Sequence, residues 1–123
     1  MEWHDREPIF RQLAETIRQQ IVDDVWQEGA ALPSVRKVAT DLKINHLTVM
    51  KSYQLLVDEC LVEKRRGQGM FVLSGAKSRL LKLKKEAFIR EELPQIAHTL
   101  EQIDMGLPEF IEQLKQALEA RQL

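Results

Sequence analysis

The side chains able to do chemistry in this chain are cations and hydrogen-bonding groups rather than a reactive set. Arg36 stands two places after Ser34. His46, Leu47, Thr48, Met50 and Lys51 follow closely on Asn45, and Arg65-Arg66 run straight into Gly67-Gln68-Gly69. Guanidinium forks suit guanine edges and phosphates, and small polar groups suit phosphate oxygens. No phosphate-cradling glycine loop, no Ser/His/Asp or Cys/His arrangement and no pair of carboxylates in an apolar setting accompanies them. His4, His46, His98 and Cys60 are scattered without metal-ligand spacing. No catalytic residue, cofactor or metal is expected, and the chain does not read as an enzyme.

Charge points the same way once it is counted locally. Eighteen Lys+Arg against 19 Asp+Glu leave a net −1 over 123 residues. Between Pro33 and Arg66, seven bases (Arg36, Lys37, Lys43, Lys51, Lys64, Arg65, Arg66) face four acids (Asp41, Asp58, Glu59, Glu63), a local +3. Binding a polyanion requires segregated rather than net charge. No apolar run approaches the roughly 20 residues of a membrane span, and MEWHDREP is too acidic and polar for a signal peptide. A lone cysteine excludes an internal disulfide and fits a reducing, cytoplasmic setting.

The elements that must position these groups follow from periodicity. Ile9, Leu13, Ile17, Ile21 and Val25 recur in steps of four, predicting a first helix over 8–26 with Pro8 in its first turn. Ala31-Leu32-Pro33-Ser34 reads as a loop closing on a cap, and Val35, Val38, Ala39 and Leu42 form one face of a short helix over 35–42. Asn45 caps a third helix over 46–59, with Val49, Tyr53 and Leu56 on its buried side. Leu61-Val62-Glu63-Lys64 and Gly69-Met70-Phe71-Val72-Leu73 are strand-like runs around a glycine turn, a β-hairpin. Cys60, between the third helix and the hairpin, reads as a small, partly buried residue rather than a redox sensor.

Beyond Ser74-Gly75-Ala76 the texture changes. A basic run over 77–85 opens a long amphipathic helix through Ile103, with a kink or restart expected near Pro94. Gly106 is expected as the left-handed residue closing it, with Pro108 opening a last helix over 108–121. The fold class is therefore mostly α with a small β-hairpin. Residues 1–75 form a winged helix-turn-helix, and 76–123 a short, two-helix dimerisation or effector segment.

Pro8-Ile9-Phe10-Arg11-Gln12-Leu13, Leu32-Pro33-Ser34-Val35-Arg36, Ile44-Asn45 with Thr48-Val49 and Tyr53, and Arg65-Arg66-Gly67-Gln68-Gly69-Met70-Phe71-Val72 resemble, in order and spacing, the GntR family of bacterial transcription regulators. The short helical tail resembles the YtrA subfamily. The resemblance implies a homodimeric regulator of double-stranded DNA, most simply a repressor on a palindromic operator, with control of an ABC-transporter operon. It implies that Arg36 reads a guanine or a phosphate and that Ser34 meets a phosphate while capping its helix. It places Asn45, His46, Leu47, Thr48, Met50 and Lys51 at the recognition helix, and Arg65, Arg66, Gly67, Gln68 and Gly69 in the wing. His46, Leu47 and Cys60 depart from the family pattern; Cys60 stands where glycine is usual. The C-terminal helices are expected to pair with their copy, and any small-molecule effector would sit at that interface. The alternative reading is a winged helix that binds protein without specific DNA recognition.

Overall fold

The computed structural model describes residues 2–122. In chain order the elements are α1 (Ile9–Val22), α2 (Val35–Leu42), α3 (His46–Asp58), β1 (Val62–Arg65), β2 (Gly69–Val72), α4 (Ala76–Ala87), α5 (Leu93–Gln102) and α6 (Leu107–Arg121). A π-helical turn, Phe88–Glu92, joins α4 to α5. The chain forms two compact units, one ending at Lys82 and the other starting at Leu83.

The first unit is built on the apolar faces that the periodicity marks. Leu13, Ala14, Ile17 and Ile21 of α1 meet Val49, Tyr53 and Leu56 of α3, and Leu61, Val62 and Val72 of the hairpin close the core. Ala76 and Leu80 of α4 are buried in the same core. Two polar side chains are buried with their bonds made, as burial requires. Ser52 Oγ donates to the Phe10 carbonyl at 2.7 Å, fixing α3 against the start of α1. Gln12 Nε2 donates to the His4 and Glu7 carbonyls, pinning the N-terminal segment to α1. Arg18 bridges to both Glu59 oxygens at 2.9 Å, tying α1 to the end of α3.

α1 is shorter than its pattern predicts, ending at Val22 rather than near 26. Asp24 adopts φ 63° and reverses the chain, a conformation that Asp tolerates better than most residues. Val25 gains nothing from continuing the helix, since it is 57% exposed. Trp26 returns instead, donating its indole N–H to Gln20 Oε1 at 2.8 Å and packing on the core.

α2 and α3 start and end close to their predicted bounds. Ser34 Oγ accepts the Lys37 N–H, and Asn45 Oδ1 accepts the Leu47 N–H. The hairpin pairs Val62 with Val72 through Arg65 with Gly69. Residues 29–32, expected as plain loop, line its open edge. The Leu32 N–H donates to the Met70 carbonyl and the Gly29 N–H to the Val72 carbonyl, both at 2.8 Å. A strand edge with unpaired backbone groups is satisfied by whatever chain passes it, and periodicity does not register such pairing.

Cys60 is exposed rather than partly buried. Its φ of 61° marks the left-handed residue just past the α3 terminus. The Cys60 N–H donates to the Val57 carbonyl and the Leu61 N–H to the Leu56 carbonyl, both at 3.0 Å. These are the two bonds of a Schellman motif, and the accompanying apolar contact is between buried Leu56 and Leu61.

In the second unit the interruption expected near Pro94 takes the form of the π turn, where the Leu93 N–H reaches the Phe88 carbonyl. Proline has no N–H to give the preceding turn, so the ladder is rephased ahead of it. The left-handed residue closing α5 is Asp104, φ 60°, not Gly106. Gly106 is extended (φ −76°, ψ 161°) and serves as the N-cap of α6. None of the described residues of α5 or α6 is buried, and Ile103, Leu107, Ile111, Leu114 and Leu118 stand exposed.

Candidate nucleic-acid interface

The interface lies on the α3 face opposite Val49, Tyr53 and Leu56. Three local devices position it. Asn45 caps α3, leaving its amide N–H groups outward. Tyr53 is 1% exposed and donates its hydroxyl to the Pro33 carbonyl at 2.6 Å, which locks the Leu32-Pro33-Ser34 entry to α2 onto α3. Burial pushes the Tyr53 phenol up to about 12, so it stays a donor through the neutral range. The Cys60 turn then sends the chain directly into β1.

Every candidate from the sequence except Thr48, which is half-buried, is exposed. Ser34, Asn45, His46, Leu47, Met50 and Lys51 surround the amino ends of α2 and α3. Arg36 is free to reach outward. Its obvious intramolecular partner, Asp41, is taken by Lys37 at 3.2 Å. Lys51 Nζ lies 5.7 Å from the Phe10 ring centre, on the α1 side of the face. On the other side, Met50 lines a groove of about 370 Å³ with Pro33, Ser34, Gln54, Lys64 and Gln68.

The wing is asymmetric in its charges. Arg65 is held at home, its guanidinium 4.0 Å above the Phe71 ring and its Nε donating to Glu63 at 3.0 Å. Arg66 has no ion pair among the described residues and carries the free charge of the turn. Gly67 (φ 74°) and Gly69 (φ 103°) take backbone conformations that a side chain would strain, so the turn is tight and bare. Gln54, which the helical spacing puts on the outer face of α3, and Lys64, counted among the local bases, join this surface although neither is among the DNA contacts expected from sequence. Gln54 follows Met50 by one helical turn, a spacing that was visible; Lys64 is brought in by the folding of the hairpin against α3. Among the described residues no group of three His, Cys, Asp or Glu side chains could hold a metal, and no helix is long and apolar enough to cross a membrane.

A cationic rim around an exposed recognition helix, with a bare wing beside it, is the arrangement that docks in DNA grooves. The family model described as bacterial regulatory proteins, gntR family, matches residues 10–72. The chain belongs to the GntR family. It is 34% identical over 89 residues to the HTH-type transcriptional repressor YtrA of Bacillus subtilis, covering 72% of this chain and 68% of that one. It is 29% identical over 114 residues to the HTH-type transcriptional regulator YhcF of the same organism, 93% of each chain. A crystal structure of a GntR-family transcriptional regulator from Bacteroides thetaiotaomicron superposes with a TM-score of 0.73 at 34% identity, over 94% of this chain and all of that one. The likeness therefore runs past the DNA-binding module into the C-terminal helices. As a GntR regulator the protein is a DNA-binding transcription factor with a winged helix-turn-helix, not an enzyme.

Proposed function

We propose that this GntR regulator is a cytoplasmic repressor that binds a palindromic operator as a homodimer. Residues 1–75 recognise DNA and the helices after them self-associate. Arg36 reads a base edge in the major groove. Ser34, Asn45, His46, Thr48 and Lys51 meet phosphates at the amino ends of α2 and α3, where helix dipoles favour anions. Arg66, with Gly67, Gln68 and Gly69, brings the wing to the minor groove, and Arg65 braces it from Phe71.

The observation that carries this reading is the free Arg36 beside a capped, exposed recognition helix. Dimerisation is supported by the apolar faces of α5 and α6. Exposed Leu107, Ile111, Leu114 and Leu118 recur at helical spacing over one element, more apolar surface than a solvated helix presents. Two modules on a two-fold axis would meet half-sites about 34 Å apart. Control of an ABC-transporter operon belongs to the same proposal, drawn from the likeness to YtrA. An effector would act at the dimer interface by changing the separation of the modules.

The test is binding of the purified protein to its own upstream DNA against random duplex at two salt concentrations, with mass measured by light scattering. A specificity ratio of at least about a thousand is expected, with a dimeric mass. Equal, weak binding to both duplexes would refute operator recognition, and a monomeric mass would refute the homodimer.

A further inference from the structure

The centre of the α3 reading face is apolar. Leu47 lies opposite the buried line of Val49, Tyr53 and Leu56, and Met50 stands beside it one turn on. They are 55% and 50% exposed. A single exposed leucine on a protein surface needs no explanation. Two bulky apolar side chains side by side, with lysines at their flank, do. Lys51 follows Met50 directly on α3, Lys64 lines the same groove as Met50, and neither forms an ion pair among the described residues. Gln54, one turn beyond Met50, donates its Nε2 to Asp58 Oδ1 at 2.8 Å. The surface thus combines free positive charge at its rim with an apolar pair at its middle.

A duplex matches that combination. Phosphates flank the major groove, and its floor presents one apolar group, the C5 methyl of thymine. Three residues of helix advance by about 4.5 Å, close to the roughly 3.4 Å between successive bases on one strand. We infer that Leu47 and Met50 read thymine methyl groups at neighbouring positions of each operator half-site. Resting on the operator-binding reading above, the inference adds which bases the recognition helix selects and by what chemistry. Apolar contact discriminates thymine from cytosine without a hydrogen bond, and it discriminates thymine from uracil by the methyl alone.

The experiment uses the full chain. Duplexes are selected from a random-sequence library, and the selected duplex is resynthesised with deoxyuridine at each thymine in turn. The swap keeps every base-pairing group and removes one methyl. Losing a buried methyl should weaken binding about fourfold at each contacted position, and about sixteenfold for both in one half-site. Leu47→Ala should abolish the uracil penalty at one position and Met50→Ala at its neighbour. Both side chains lie outside the buried core, so helicity and melting temperature should be unchanged. Three outcomes would overturn the inference. The first is uracil duplexes binding as tightly as thymine ones. The second is a penalty that persists in the Leu47→Ala/Met50→Ala double variant, which would place its origin in the DNA. The third is selection of no duplex at any salt, which would remove the operator-binding reading as well; the first two outcomes leave that reading standing.

Discussion

Replacing Cys60 by glycine should stabilise the first unit, and the size of the gain follows from one torsion. Cys60 holds φ at 61° as the residue past the end of α3. A side chain there costs about 1–2 kcal/mol because its Cβ crowds the following carbonyl. Glycine escapes that cost but gives the unfolded chain more freedom, worth about 0.5–1 kcal/mol. At the middle of both ranges the difference leaves a gain of about 0.75 kcal/mol. Little is lost in exchange. The thiol is exposed, and the backbone bonds to Val57 and Leu56 do not involve it. The melting temperature should rise by about 2–8 °C for a domain of this size, and the urea midpoint should rise with an unchanged slope. Cys60→Ala is the control: it removes the sulfur and keeps the Cβ, so it should melt with the parent. A glycine variant no more stable than the alanine variant would refute the argument from backbone strain. The turn sets where β1 leaves α3, so DNA binding should be unchanged in all three proteins.

Arg36→Ala should cost about 1–3 kcal/mol in operator affinity and relax selection at one base pair per half-site; a uniform loss over operator variants would reduce Arg36 to a phosphate contact. Lys51→Ala should weaken all duplexes alike and lower the slope of log affinity against log salt by about one per subunit; an unchanged slope would remove Lys51 from the phosphate contacts. Tyr53→Phe forfeits the bond to the Pro33 carbonyl and should cost about 1 kcal/mol at neutral pH. The phenol titrates near 10.0 when unfolded and about 12 when folded. Its neutral form is therefore favoured by folding, and that contribution is whole below pH 10 and fades as pH climbs through 12. Urea midpoints across this range should fall more steeply in the parent than in Tyr53→Phe; parallel curves would contradict the assignment.

Where local chemistry decides a boundary, this chain is legible without its fold. Ser34 and Asn45 announce α2 and α3 because a cap satisfies backbone N–H groups within its own next turn. Gly67 and Gly69 announce the turn of the wing because positive φ is a property of the single residue. The tertiary structure decided what depends on distant partners. α1 stops at Val22 because Val25 finds no core to enter, although its spacing is right. Cys60 and Asp104 take the left-handed turns that close α3 and α5, each with backbone bonds back into its helix, while Gly106, the residue suited to such a turn, stays extended. Arg18 and Arg36 look equivalent as charges in a string. Folding gives Arg18 to Glu59, 41 residues on, and leaves Arg36 without an ion pair among the described residues. Residue type and short spacing carry the first kind of information because the interacting groups are at most one helical turn or one hairpin apart. Which of several like charges remains available to DNA is a competition for partners, and that competition is held only once the chain has closed on itself.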